Sequence, residues 1–110
     1  MAFGANLNKK DSIGRTALHY ACKAGNLKTF RILVEDDNCD IDAVTNSGVT
    51  PLMCAIDSGV IELVVECLNE KVNPFLKDAL GRSAIDYANN FPSVQGAKQG
   101  VKHNMRKIIE

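Results

Sequence analysis

Apolar side chains recur along this chain in short groups with helical spacing. Within each group the members lie at i, i+3 and i+4, which places them on one face of an amphipathic helix. The three groups are Phe30, Leu33 and Val34; Val64, Cys67 and Leu68; and Met105, Ile108 and Ile109. The second group follows the first at a distance of 34 residues, so the pattern predicts helices of one kind rather than unrelated segments.

A turn-and-cap pattern precedes each group. A glycine is followed two positions later by Thr or Ser, then by an aliphatic residue and by an alanine. The matching residues are Gly14, Thr16, Leu18 and Ala21; Gly48, Thr50, Leu52 and Ala55; and Gly81, Ser83, Ile85 and Ala88. The glycines lie 34 and 33 residues apart, and self-similarity at this period indicates a stack of repeated units.

Each place in this pattern has a physical reason. Glycine accepts the positive φ that a tight turn can demand. Thr or Ser is a strong helix N-cap, because its oxygen accepts a hydrogen bond from a backbone N–H of the first turn. Pro51 stands at the first helical position, where its missing N–H costs nothing, and Ser83 with Asp86 forms a variant of the capping box. The pattern predicts short helices over residues 17–23 and 51–57.

The repeated unit resembles the ankyrin repeat, which runs roughly D-x-x-G-x-T-P-L-H-x-A-A-x-x-G. Residues 16–19, Thr-Ala-Leu-His, differ from T-P-L-H at one place, as do residues 50–53, Thr-Pro-Leu-Met. Residues 83–86, Ser-Ala-Ile-Asp, differ most. The resemblance implies an all-α ankyrin-repeat solenoid of stacked helix-turn-helix units with hairpin-like connecting loops. It also implies that His19 is structural and bonds the Thr16 cap and the adjacent loop backbone.

The length of 110 residues is enough for one domain. We predict one domain over residues 1–110, in which 1–10 are the tail of a preceding repeat and the repeats occupy 11–43, 44–77 and 78–110. The third repeat is divergent and carries an insertion near 92–102. The residues with predicted structural roles are Gly14, Thr16, His19, Gly48, Thr50, Pro51, Gly81 and Ser83.

Charge and composition limit the classes of function that the chain can have. Thirteen basic and thirteen acidic residues cancel, which gives no electrostatic case for nucleic acid or for an anionic membrane. No apolar run approaches the roughly 18–20 residues of a spanning helix, and Met1-Ala2-Phe3 begins no signal peptide. The four cysteines are scattered, which favours a reducing compartment. We expect a monomer in the cytoplasm, with the nucleus as the alternative, that neither binds nucleic acid nor enters a membrane.

No catalytic, cofactor or metal site is predicted. Cys22, Cys39, Cys54 and Cys67 contain no CxxC pair; three are expected to be buried, and neighbouring carboxylates are expected to raise the pKa of Cys39. The opposing hypothesis, a small enzyme or thiol regulator, requires Cys39 or the 93–103 loop to form a site with His103.

Two charged segments have two interpretations each. The acidic one is Glu35, Asp36, Asp37, Asp40 and Asp42, and the basic one is Lys98, Lys102, Arg106 and Lys107. They are either solvated faces or edges that orient a partner.

The resemblance implies that such arrays bind partner proteins through hairpin tips and the exposed side of the first helices. The matching positions are Ser12, Ile13, Arg15, Lys23, Asn46, Ser47, Val49, Asp57, Leu80, Arg82 and Asn90. Ile13, Val49 and Leu80 form a predicted apolar ridge with arginine anchors beside it; alternatively, they pack against neighbouring hairpins. The predicted function is a non-catalytic protein–protein interaction module, an adaptor or scaffold. The alternative is a regulatory or targeting fragment of a larger multidomain protein, such as an enzyme, whose catalytic part lies elsewhere.

Overall fold

The computed structural model describes residues 7–89, which form five helices and contain no β-strand. The helices are α1 (Ala17–Ala24), α2 (Leu27–Val34), α3 (Pro51–Ser58), α4 (Ile61–Asn69) and α5 (Ala84–Asn89). Several predictions fall outside the described residues: Asn90, the insertion near 92–102, His103, the basic segment and the third apolar group.

The first helices begin where the caps predict. The Thr16 side chain accepts a hydrogen bond from the backbone N–H of His19, and the Thr50 side chain accepts one from Met53. Pro51 is the first residue of α3. Gly25 ends α1 in the left-handed region with φ of 68°, where a side chain would be strained. Both helices extend one residue beyond the predicted ends.

The helices pack in two layers. Helix α3 lies between α1 and α5, while α2 and α4 contact each other in the second layer. All residues from Pro51 to Ile56 are buried, because α3 has neighbours on both sides and α4 beside it. This arrangement confirms the predicted all-α solenoid of stacked helix pairs.

The apolar groups predicted on α2 and α4 face the core, except that the last residue of each group is only partly buried. Phe30 and Leu33 are buried, as predicted, but Val34 is only partly buried. In α4 the buried residues are Leu63, Val64 and Cys67, and Leu68 is partly buried. The sequence pattern missed Leu63, which is fully buried.

The hairpin tips join neighbouring repeats through the backbone. Within each tip a glycine N–H donates to the carbonyl three residues earlier, at 3.0 Å from Gly14 to Asp11 and at 2.9 Å from Gly48 to Thr45. Between tips, the Asn46 N–H donates to the Ile13 carbonyl at 3.0 Å, and the Ala79 N–H donates to the Ser47 carbonyl at 2.8 Å. These two bonds hold three hairpins in register.

Candidate functional site

A cavity of about 520 Å³ opens where the hairpins meet the first helices. Seven of the predicted partner-binding residues line it. They are Ile13, Arg15, Lys23, Ser47, Val49, Asp57 and Arg82. Thr45, Cys54 and Tyr87 complete the lining. The fold therefore brings most of the predicted surface to one concave site.

The first repeat supplies one wall of this cavity through a group of three side chains. Asp11 Oδ1 accepts hydrogen bonds from the backbone N–H of Ile13 at 3.0 Å and of Arg15 at 2.8 Å. The Tyr20 hydroxyl donates to the other carboxylate oxygen of Asp11, and this bond is the largest cause of the lowered pKa of Asp11. The Arg15 guanidinium lies over the Tyr20 ring, 5.6 Å from its centroid. The tip is thus fastened to α1, and Arg15 is stacked on an aromatic face.

The third repeat repeats this group at the opposite wall. Asp78 Oδ1 accepts from the backbone N–H of Leu80 and of Arg82, both at 2.9 Å. Its Oδ2 accepts from Arg82 Nε at 2.9 Å and from the Tyr87 hydroxyl at 2.6 Å. The Arg82 guanidinium lies 5.1 Å from the Tyr87 ring centroid. Both cavity walls therefore carry an arginine held against a tyrosine.

Asp78 differs from its first-repeat counterpart in being buried. Burial by itself would raise the pKa of its carboxyl group, but hydrogen bonds from Tyr87, Arg82 and Leu80 outweigh it and hold the pKa at about 2. Burial, and then the bond to Asp78, raises the pKa of Tyr87. The pair is therefore a carboxylate and a neutral phenol at physiological pH.

The central repeat lacks this group of Asp, Arg and Tyr, and the cavity lies over the central repeat. The positions of Asp11, Arg15 and Tyr20 correspond there to Thr45, Val49 and Cys54. Thr45 keeps the turn, because its Oγ1 accepts from the backbone N–H of Ser47 at 3.2 Å and of Val49 at 3.1 Å. Val49 and Cys54 are much smaller than Arg and Tyr, so the space that the larger side chains fill in the flanking repeats is open here.

Polar groups at the helical end of the cavity are of both signs. Lys23 comes from the last turn of α1 and Asp57 from the same place on α3. Desolvation raises the pKa of Asp57, and the charges of Lys23 and Arg82 oppose that shift. Burial, and then the nearby charge of Asp57, raises the pKa of Cys54 to about 11. The lining thus holds three cations, one carboxylate and a protonated thiol.

Ser12, Asn46 and Leu80 are the predicted partner-binding residues within 7–89 that do not line the cavity. Ser12 and Asn46 are bonded to each other, because Asn46 Nδ2 donates to the Ser12 carbonyl at 3.1 Å. Leu80 is 76% exposed at the third tip. Of the three residues of the predicted apolar ridge, Ile13 and Leu80 are exposed, whereas Val49 is partly buried and packs against the core.

The residues proposed for other chemistry have structural roles. His19 Nδ1 lies 2.9 Å from Thr16 Oγ1, and its Nε2 lies 2.8 Å from the Val49 carbonyl, which agrees with the predicted structural role. Cys22, Cys54 and Cys67 are buried, as predicted. Burial raises the pKa of Cys39 most, and the charges of Asp36 and Asp40 raise it further. The sequence predicted a raised pKa from the carboxylates but did not predict the larger effect of burial.

The acidic segment caps its own turns and the next loop. Asp36 Oδ1 accepts from the Asn38 N–H at 2.8 Å, and Asp42 Oδ1 accepts from the Asn73 N–H at 3.0 Å. Within residues 7–89, no cluster of His, Cys, Asp and Glu is arranged to hold a metal ion. None of the helices formed by those residues is long and apolar enough to cross a membrane.

Comparisons with known proteins place this architecture in a family. A family model described as ankyrin repeats in three copies matches residues 1–78. Neurogenic locus notch homolog protein 1 of Danio rerio is 33% identical over 106 residues, which cover 96% of this chain. Neurogenic locus notch homolog protein 2 of Homo sapiens is 33% identical over 107 residues, which cover 94% of it. The chain belongs to the ankyrin-repeat family, whose repeats are protein–protein interaction modules, and it spans about 4% of the length of these relatives.

Proposed function

We propose that this chain is a non-catalytic adaptor that binds a partner protein in the groove between its hairpin tips and the exposed side of α1 and α3. The observation that carries the proposal is the convergence of seven residues from three repeats on one cavity. Apolar surface in this groove comes from Ile13 and Val49, and Arg15 and Arg82 stand on either side. Arginine and buried apolar groups are typical of the energetic centre of an interface.

Rigidity of the groove supports the same function. Its walls are fixed by the backbone bonds between tips and by the Asp–Tyr bonds that join each outer tip to its helix. A surface that is ordered before binding loses little conformational entropy when a partner docks. We further propose that the chain acts as a monomer in the cytoplasm or nucleus and does not bind nucleic acid.

A second candidate function follows from the length of the relatives. Because the chain spans only about 4% of the curated relatives it matches, it can equally serve as the regulatory or targeting portion of a larger multidomain protein. An antibody raised against residues 7–89 tests this on an immunoblot of source cells. A single band at the mass of 110 residues supports the independent adaptor, and a much larger band supports the fragment.

The adaptor proposal is tested by affinity capture from an extract of source cells, read by mass spectrometry. The native chain is compared with a groove variant, Ile13→Asp with Ser47→Arg, and with a control, Ile32→Asp, on the exposed surface of α2. All three must give the same helical circular-dichroism spectrum. We expect a protein that the native chain and the control recover and the groove variant does not. If all three baits recover the protein equally, the groove is not its binding site. If the native chain recovers no specific protein, the adaptor function is overturned.

A further inference from the structure

The chemical character of the cavity arises from sequence differences between the repeats. Repeats one and three carry an Asp–Arg–Tyr triad at positions 11, 15 and 20 and at 78, 82 and 87, and the central repeat replaces it with Thr45, Val49 and Cys54. Stacking puts the small residues between the two large groups. The result is an apolar floor with a guanidinium on each side, which three identical repeats would not form.

Both guanidinium groups are held in place. Arg82 is oriented by the Tyr87 ring and by its bond to Asp78, which uses Nε. Arg15 is oriented by the Tyr20 ring. An oriented guanidinium presents donors that match a carboxylate, and little rotamer entropy is lost on pairing.

The charge of the lining is complementary to an acidic ligand. Among residues 7–89, three cationic side chains, Arg15, Lys23 and Arg82, line the cavity together with one carboxylate, that of Asp57. Asp78 is not among the lining residues; its side chain is 2% exposed and its carboxylate is paired with Arg82 at 2.9 Å. The side chains that line the cavity therefore include more cations than carboxylates, although the whole chain has a formal net charge of zero.

We propose that this cavity takes an acidic segment of the partner protein, in which an apolar side chain rests on Val49 and Cys54 while flanking carboxylates pair with Arg15 and Arg82. The inference rests on the proposed function and adds the chemical class of the partner. A volume of about 520 Å³ exceeds what one side chain needs, so it accommodates an apolar anchor together with the carboxylates beside it.

Selection from a phage-displayed library of random short peptides tests the proposal without knowledge of the natural partner. We expect the native chain to enrich peptides with an apolar residue next to Asp or Glu. The best peptide is then synthesised, together with a version in which Asn and Gln replace its Asp and Glu. Loss of about tenfold in affinity is expected for the neutral version, and binding of the acidic one should weaken as NaCl is raised.

Variants of the chain place the peptide in the cavity. Arg15→Gln and Arg82→Gln should each weaken the acidic peptide by about tenfold. Arg31→Gln is the matched control, because Arg31 is also paired with a carboxylate, that of Glu66, but lies on α2; it should leave affinity unchanged. Cys54→Tyr puts the side chain of the flanking repeats into the opening and should abolish binding. Because Arg82→Gln removes a partner of buried Asp78, Arg15→Gln carries the test if Arg82→Gln fails to fold.

The outcomes separate this inference from the proposed function. Acidic enrichment that is lost in Arg15→Gln and Cys54→Tyr supports both. Enrichment without acidic residues, or binding insensitive to both variants, overturns the acidic segment and leaves the adaptor function to the capture experiment. A selection that enriches no peptide overturns the inference, while recovery of a partner sensitive to Ile13→Asp with Ser47→Arg would still support the adaptor.

Discussion

His19 of the first repeat donates a hydrogen bond from Nε2 to the backbone carbonyl of Val49 in the second, across 2.8 Å. A carbonyl can only accept, so Nε2 carries the proton and Nδ1 is left as an acceptor. Nδ1 then accepts from the Thr16 N–H at 3.1 Å and faces the Thr16 hydroxyl at 2.9 Å. One neutral imidazole thus closes the cap of α1 and joins it to the next hairpin.

This arrangement makes the stability of the array depend on pH. Burial lowers the pKa of His19 below its ordinary value of 6.5, because a second proton would be buried and would turn the Nδ1 acceptor into a donor. The unfolded chain therefore binds more protons than the folded one below about pH 6.5, and the free energy of unfolding should fall as pH drops through that value. Urea unfolding followed by circular dichroism across this range measures the effect.

The second repeat supplies the control for His19. Met53 stands at the matching position, and its Sδ accepts from the Thr50 N–H at 3.4 Å. His19→Met should therefore keep part of the cap while it removes the titrating group. We expect the variant to be less stable at neutral pH and to lose the fall in stability that sets in below about pH 6.5. A variant with the same pH slope as the native chain would assign the slope to another residue.

Asp78 should govern stability at lower pH. Its pKa is about 2 in the folded chain and 3.8 ordinarily, so the stability it contributes is complete above 3.8 and is lost as pH falls toward 2. Tyr87→Phe removes the hydroxyl that donates to Asp78 and should move this loss to higher pH. Asp78→Asn should remove the part of the pH dependence that Asp78 contributes, leaving the part due to Asp11, whose pKa is also lowered, and should reduce stability at neutral pH. Unfolding curves at several acidic pH values compare the three proteins.

Two turn glycines should differ in their tolerance of a side chain. An added Cβ at Gly14 would lie 2.6 Å from the Asn46 backbone nitrogen, whereas at Gly81 it meets no atom of the described residues within 4 Å. Both have positive φ, 85° and 77°, so Ala at either site costs about 1–2 kcal/mol of strain. Gly14→Ala should cost more than Gly81→Ala in urea unfolding, because the tip must also move away from the next hairpin. Equal losses of stability in the two variants would show that backbone strain alone accounts for the effect.

The central helix should be the most sensitive part of the core. Leu52 is 1% exposed between neighbours on both sides, and Leu52→Ala should cost about 2–5 kcal/mol. That is a large part of the roughly 5–15 kcal/mol that stabilises a typical domain. Phe75, which is 81% exposed, is the control: Phe75→Ala should change the free energy of unfolding by less than about 0.5 kcal/mol. Thermal or urea unfolding of the two variants gives the comparison.

Much of the local structure could be predicted because its causes are local. Turn, cap and helix start depend on residues within four positions of each other, as in the bonds of Thr16 to His19 and of Thr50 to Met53. The bond from the Ser83 N–H to Asp86 at 3.0 Å follows the predicted variant capping box. The period of 34 and 33 residues then indicated stacking, because a single short helix pair cannot bury its own apolar face.

The sequence by itself determined the repeat, the boundaries of α1 and α3 to within one residue, and the family resemblance, which implied the structural role of His19. Only the tertiary structure decided which side chains the stacking covers: Leu63 is buried, Val49 is half-buried rather than part of an exposed ridge, and Asp78 is buried where Asp11 is exposed. It also decided that residues more than 30 positions apart share one cavity. The physical reason is that the burial and the charge environment of a side chain depend on the neighbouring repeat. Periodicity shows where that repeat lies along the chain, but only the folded stack defines how its side chains pack.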